Sequence, residues 1–404
     1  MKKSILFVDD EPNVLEGLGR MLRVMRAEWD MRFATGGPEA LEIMATVPVD
    51  LVVSDMRMPV MNGLQFLTEV RTKYPNVIRV ILSGYADQLL IMRSVGVTHQ
   101  YLSKPCDAEM LRSTIARAIN LRALLANEKI RLLVGQMSTL PSLPSLYLEI
   151  VRELQSPEAS IRRVGEIIAK DLGMTAKILQ LVNSAFFGIQ RQVSNPMEAA
   201  AYLGLDTIQS LVLSLNAFSK FDGCRTPGCS MDYIWSHSMA TGALSKRIAE
   251  GEHASKGTVN EAFTAGLLHD LGKLVLAFNR PRQYGEVIAL SAQGGAGLCD
   301  AEREVLGSTH AEVGAYMLGL WGLPDPIIEA IALHHRPGDC AEKVFGTLSA
   351  VHAADALAFE LQASQPHTGA AKLDLDYIEA IGKTDRLGDW HHWCLNALAP
   401  GEGG

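Results

Sequence analysis

Short apolar runs recur through the first 105 residues, and each stops on an acid, a hydroxyl or a lysine. Residues 4–8 (Ser-Ile-Leu-Phe-Val) lead into Asp9-Asp10-Glu11, residues 50–54 into Asp55, residues 77–82 into Ser83, and residues 100–103 into Lys104-Pro105. Residues 30–34 predict one further strand, and amphipathic stretches fill the gaps between strands. Strand alternating with helix predicts a doubly wound α/β unit. Its last helix should start near Asp107, with Leu111, Ile115, Ala118, Leu121 and Leu125 on one face. Nothing breaks that face before Gly135, so the helix either continues as a connector or ends on the sheet and gives way to loose chain. After Pro141 and Pro144 the pattern becomes helix after helix, to about Phe359. Segments such as 161–168, 175–182 and 208–218 are divided by Gly, Pro or Asn, without β alternation or internal repeat. Residues 362–371 read as a surface loop, and 376–399 as helix with Trp390 and Trp393 packing. The expected boundaries are 1–122 for the α/β unit, 123–137 for a helical connector, 138–345 for the helical domain and 346–404 for a helical extension.

At 404 residues the chain is long enough for two or three cores. Apolar residues make up 48% and charged residues 20%, yet no run of eighteen apolar residues predicts a membrane span. The first apolar run meets Asp9-Asp10 too soon for a signal peptide. Six cysteines (106, 224, 229, 299, 340 and 394) lack paired spacing, and Cys224/Cys229 is a poor zinc or redox signature. Reduced thiols and a cytoplasmic location are expected. A net charge of −8 without a basic tract argues against non-specific nucleic-acid binding, and no helix-turn-helix segment stands out.

Five strands in this length fit a flavodoxin-like parallel sheet, in which ligands bind beyond the carboxyl ends of the strands. Asp9, Asp10 and Asp55 should therefore converge with Ser83 and Lys104. Carboxylates suit Mg2+, which would neutralise a phosphoryl group arriving on an aspartate. Lys104 can neutralise a phosphoryl oxygen and Ser83 can hydrogen-bond one. Pro105 sets the turn after Lys104 through an X-Pro bond for which the cis form is open.

Residues 1 to about 120 resemble the receiver domain of two-component response regulators. The likeness rests on the acid pair, on Asp55-Met56-Arg57-Met58-Pro59 with Gly63, on Ser83-Gly84 and on Lys104-Pro105. It implies that a sensor histidine kinase phosphorylates Asp55. Asp10 and Asp55 would hold Mg2+ directly, Asp9 through water, and the Arg57 backbone carbonyl would be a further ligand. Ser83, where threonine is commoner, and Tyr101 would be the switch pair, with Lys104 sensing the phosphoryl group. Phosphorylation would draw Ser83 and Tyr101 inward and shift the face formed by the fourth helix, fifth strand and fifth helix.

The helical half holds a second constellation. His237, His269, His310, His334 and His335 fall there with Asp270 and Asp355. His269-Asp270 lies in the apolar stretch 265–276, read as one buried helix, with Lys273 on the His269 face. Imidazoles and carboxylates together suit Fe, Mn, Zn or Ni, which could activate water against a phosphate ester.

Residues from about 138 to 345 resemble an HDOD domain, a relative of the all-α HD-type phosphohydrolases. The matching residues are Leu140-Pro141-Ser142-Leu143-Pro144, Asp171-Leu172-Gly173-Met174-Thr175-Ala176-Lys177, Gly266-Leu267-Leu268-His269-Asp270-Leu271-Gly272-Lys273, Trp321-Gly322-Leu323-Pro324 and His334-His335. By position, His237, His269, Asp270 and Asp355 correspond to the HD ligand set, and His310, His334 and His335 to the extra ligands of binuclear relatives. The Gly-Tyr-Pro motif of cyclic-di-GMP phosphodiesterases is absent after His335, and Tyr233 stands where some of them carry a metal-binding glutamate. The stretch from Asn183 to Gly188 reads as a helix cap with two core phenylalanines. Two readings of the output follow. It is an interaction module for an unidentified downstream protein, with a homodimer as one form, or it is a metal-dependent phosphohydrolase using Asp270 and Lys273. The receiver would catalyse only its own phosphotransfer.

Overall fold

The protein is described by a computed structural model that covers residues 2–84, 94, 96–122, 125, 127–137, 140–142, 144–156, 158–183, 191–209, 212, 218–220, 230–293, 297–361 and 372–398. The strands of the first unit are β1 (Lys3–Val8), β2 (Trp29–Ala34), β3 (Leu51–Asp55), β4 (Ile78–Ser83) and β5 (Gln100–Ser103). They form one parallel sheet in the order β2-β1-β3-β4-β5. Alternation along the strands separates two apolar layers. Ile5, Phe7, Leu51 and Val53 face one side, and Leu6, Val8, Val52 and Ile81 the other. Helices α1 (Pro12–Met21), α2 (Gly37–Thr46), α3 (Gly63–Lys73) and α4 (Ala108–Leu121) cover these layers. Asn62 and Gln65 form a capping box that starts α3 directly after the Asp55 turn.

The sheet and its order agree with the expected doubly wound unit. The continuous final helix does not form. Helix α4 ends at Leu121, and α5 (Glu128–Gln136) starts afresh, with the Asn127 side chain accepting from the Lys129 and Ile130 amides. A residue that caps a new N-terminus overrides the unbroken apolar face. Helix α5 folds back against the first unit, and a Cβ on Gly135 would strike the Pro75 carbonyl.

The second unit is helical. Its helices are α6 (Pro144–Gln155), α7 (Ile161–Ile168), α8 (Leu172–Val182), α9 (Pro196–Gln209), α10 (Met231–Gly251), α11 (Lys256–Leu268), α12 (Leu271–Asn279) and α13 (Pro281–Ala292). They are followed by α14 (Leu298–Leu306), α15 (His310–Leu320), α16 (Asp325–Leu333), α17 (Thr347–Leu361), α18 (Leu375–Ala380) and α19 (Leu387–Leu398). Every residue of α8 is buried, which makes it the central helix. Helix α17 packs across α10, α11 and α16. Trp390 is fully buried, and its indole nitrogen donates to Glu252 (2.9 Å). One departure from the expected all-helical pattern is a parallel pair of three-residue strands, β6 (Leu140–Ser142) and β7 (Phe218–Lys220). Strands this short carry too few positions to alternate. The expected loop at 362–371, residues 184–188 of the predicted cap and Cys224/Cys229 lie outside the described residues. Among the described residues no helix is long and apolar enough to cross a membrane.

The two units share one core. A single apolar cluster runs from Ile5 and Val53 through Leu111, Ile115 and Leu121 to Val313, Met317 and Leu320. Buried cations stand inside this junction. Arg79 donates to the carbonyls of Val97 (2.6 Å), Val77 (3.0 Å) and Gly135 (2.7 Å). The Lys177 ammonium lies 3.3 Å from Gln180 Oε1 and 4.0 Å from the Trp321 ring centroid. Neither has a carboxylate partner among the described residues, so carbonyls and an aromatic face must hold the charge. Burial pushes the Lys177 ammonium down to about 7.

An unfolded lysine titrates near about 10.4, so between about pH 7 and about pH 10 the unfolded chain binds the extra proton. Stability should therefore rise with pH across that window, and below it the full cost of the buried charge is present. Thermal midpoints of wild type and Lys177→Met should converge toward pH 10 and diverge toward pH 7, with wild type the lower. A difference that does not vary with pH would contradict this.

Candidate functional sites

The first site lies at the carboxyl ends of β1, β3, β4 and β5. Asp9 and Asp55 are buried there, because each directly follows or ends the buried part of a strand. Lys104 Nζ reaches both, at 2.6 Å from Asp9 Oδ2 and in a close ion pair with Asp55 Oδ1. The Arg57 amide donates to Asp55 Oδ2 at 2.5 Å. Burial pushes the Asp55 carboxyl up, against the opposing pull of Lys104. Ser83 is buried at the end of β4, directly across from Ser103. Asp10 is exposed at the rim. The Lys104–Pro105 bond is cis. The Tyr101 ring is buried and its hydroxyl lies 3.2 Å from Ser94 Oγ, with burial holding the phenol protonated. The helix expected before β5 falls largely on residues 85–93 and 95, outside the described residues.

The second site gathers all seven predicted HD residues from six helices. His237 comes from α10, His269 and Asp270 from the corner between α11 and α12, His310 from the first turn of α15, His334 and His335 from the end of α16, and Asp355 from α17. The expected single helix through His269-Asp270 is broken. His269 ends α11, and Asp270 starts α12 with φ −96° and ψ 7°. This corner lets both side chains turn inward, which a straight helix would splay apart. Lys273 pairs with Asp270 Oδ2 at 2.6 Å rather than with the His269 face.

His237 Nε2 is 2.9 Å from Asp355 Oδ1, and His269 Nε2 is 3.5 Å from both Asp270 Oδ2 and Asp355 Oδ1. His310 Nε2 is 3.3 Å from Asp270 Oδ1 and 3.1 Å from His335 Nε2. Outer groups aim three of these rings. His269 Nδ1 meets the Gly266 carbonyl, His334 Nδ1 the Ile331 carbonyl and His310 Nδ1 the Glu302 carboxylate, each at 2.7 Å. A carbonyl or carboxylate at Nδ1 fixes the tautomer with a proton there, and Nε2 is left as an electron-pair donor. His269 Nε2, His334 Nε2, Asp270 Oδ1 and Asp355 Oδ2 are buried and have no hydrogen-bond partner among the described residues. Buried polar atoms left facing one another without partners are costly unless a cation meets them. The donor set therefore fits a divalent metal, and His237, His269 and Asp355 lie close enough to share one. Burial and the neighbouring His310 push the His335 imidazole down to about 3, and burial with His335 beside it keeps His334 well below its usual range. Burial opposes the Asp270 charge, but His269, Lys273 and His310 together hold its carboxyl well below the usual range.

Three contributors were not singled out from the sequence. Glu302 orients His310, Cys299 lies beside His310 and His335, and His352 Nδ1 donates to the His334 carbonyl oxygen at 2.7 Å. The only sequence signal for Glu302 and Cys299 is that both share one face of α14, three residues apart.

Comparison with known proteins agrees with both geometries. Residues 5–116 match the response regulator receiver domain, and residues 140–337 match the HDOD domain. A hydrogenase transcriptional regulatory protein, HoxA, from Cupriavidus necator is 32% identical over 123 residues, which are 30% of this chain and 25% of HoxA. An uncharacterized protein from Treponema pallidum is 27% identical over 221 residues, 54% of this chain and 42% of that protein. The chain thus spans less than half the length of these curated relatives. A virulence factor from Campylobacter jejuni shares the fold, with a TM-score of 0.50 and 23% identity, covering 69% of this chain and 100% of that one. The chain belongs to the response regulators in which a receiver domain is followed by an HDOD domain.

Helix α12 can carry Asp270 against α15 only because Gly272 is bare, since a Cβ there would collide with the His310 carbonyl. Gly272→Ala should destabilise the chain by about 1–3 kcal/mol, read as a lower urea midpoint at unchanged slope. An unchanged midpoint would show that the α12–α15 contact is looser than described.

Proposed function

We propose that this chain is a two-component response regulator in which phosphorylation of Asp55 controls the HDOD domain. The observation that carries this reading is the seating of receiver helix α4 on α15, whose first residue is His310. Arg117 on α4 donates to the Leu323 carbonyl and pairs with Asp325 (2.7 Å). Asn127 donates to the Leu306 carbonyl (2.6 Å), just before α15 begins. Gln180 of α8 donates to the Thr98 carbonyl ahead of β5 (3.3 Å). A movement of β5 or α4 would therefore act on both ends of α15.

The phosphodonor is a sensor histidine kinase. An Asp55 carboxylate oxygen attacks phosphorus, and the P–N bond to the kinase histidine breaks. Asp10, Asp55 and the Arg57 carbonyl would hold Mg2+ directly and Asp9 through water, and the ion would supply charge neutralisation. Lys104, now paired with two carboxylates, re-pairs with a phosphoryl oxygen, and the Ser83 hydroxyl donates to another. The added charge of about −2 arrives in a pocket whose floor is β4 and β5. The signal passes through Lys104 and through the switch pair Ser83 and Tyr101 to the β5–α4 connection. The HDOD domain then reports receiver state to an unidentified downstream protein, directly or by way of a homodimer.

One observation favours a second reading, a metal-dependent phosphohydrolase. The inward-facing imidazole and carboxylate donors of the HD cluster suit Fe, Mn, Zn or Ni. A metal held there supplies an activated water. Asp270 would take its proton, and Lys273 would neutralise the phosphate.

With Mg2+ and a small phosphodonor, wild type should gain one acid-labile phosphate and shift its thermal midpoint, and Asp55→Asn should gain none. Arg117→Ala should take the phosphate without the shift. Equal labelling of Asp55→Asn would overturn the assignment. For the second reading, purified protein should carry a transition metal that a His269→Ala/Asp270→Ala variant lacks, and should hydrolyse at least one member of a cyclic and linear phosphodiester panel. No metal and no turnover above that variant would end that reading.

A further inference from the structure

Among the described residues the HD cluster offers four overlapping donor sets, and one contains a thiol. His237, His269 and Asp355 surround one position. Cys299 Sγ and ring nitrogens of His310 and His335 surround another, all within 4.8 Å of one another. His310 Nε2 and His335 Nε2 point at each other across 3.1 Å, a separation that two ligands of one small cation also adopt. Asp270 adds a fourth donor. Its Oδ1 is buried, has no hydrogen-bond partner among the described residues and lies 3.3 Å from His310 Nε2, while Oδ2 pairs with Lys273 at 2.6 Å and lies 3.5 Å from His269 Nε2. Helix α14 builds this second position from one face, with Cys299 supplying sulfur and Glu302 holding His310 through Nδ1.

We infer that Cys299 is a thiolate ligand to a second divalent cation, held with His310, His335 and Asp270. This rests on the HD cluster being a metal centre. Sulfur, two imidazoles and one carboxylate select a borderline cation such as Zn2+, Co2+ or Fe2+ and disfavour Mg2+ and Ca2+, which prefer oxygen. Binding releases the thiol proton to solvent. Asp270 would offer Oδ1 to this cation while Oδ2 stays paired with Lys273.

The test is titration of metal-free full-length protein with Co2+ alone, followed by absorption spectroscopy. Wild type should bind two equivalents, one of them with the near-ultraviolet band of a thiolate–cobalt bond. Cys299→Ser should lose the band, keep one equivalent and weaken the other by roughly tenfold or more. Cys299→Ala should do the same, and His269→Ala should keep the band while losing the other equivalent. Circular dichroism of each variant confirms folding. Cobalt binding without the band, or a band that survives Cys299→Ser, would overturn the Cys299 assignment alone. No cobalt binding at all would overturn the metal reading together with it.

Discussion

Receiver and output domain cannot be separated without opening a core, and that constraint governs the molecule. Helix α4 contributes Leu111, Ile115 and Leu121 to the same apolar cluster that holds Val313, Met317 and Leu320 of α15. A linker would let the two units move independently. Here the apolar face of α4 is shared between the sheet that carries Asp55 and the helix that carries His310. A strain at the phosphoacceptor pocket must be absorbed in that shared face or passed on. Packed interiors respond by discrete shifts rather than by smooth deformation, which gives such a junction the properties of a switch.

Polar groups set the register of the junction. Arg79 sits in the first unit, yet spends one donor on the Gly135 carbonyl, and Gln180 reaches from the second unit to Thr98. Buried donors of this kind stabilise little in net terms, but leaving one unpaired is expensive. They therefore penalise every misplaced docking of the two units. Lys177 carries the opposite sense. Its buried ammonium costs stability near neutral pH and makes the interface less favourable than an apolar residue would. An interface that must shift benefits from being well specified and not too strong.

Much of this was legible in the sequence, and for a physical reason. Strand ends followed by acids, serine and lysine can only converge when the strands are parallel, so the β1, β3, β4 and β5 termini read directly as one pocket. The histidine series was legible as a set of types, and the fold brings all of them together with Asp270 and Asp355. What periodicity could not reveal were breaks that side chains decide. Asn127 ends the expected long helix by capping a new one, and the His269-Asp270 corner interrupts an apolar stretch that looks continuous. Glu302 and Cys299 were invisible because their role exists only where α14 meets α15. The docking of α4 on α15 was equally hidden, since an apolar helix face does not name its partner.

The account stands on mechanical coupling between Asp55 and α15. Hydrogen–deuterium exchange of the full chain with Mg2+, with and without beryllofluoride, tests it most directly. Exchange over residues 310–325 should change when the phosphoryl mimic binds wild type and should not change in Asp55→Asn. A response confined to the peptides around Asp55, with residues 310–325 exchanging as before, would contradict the coupling.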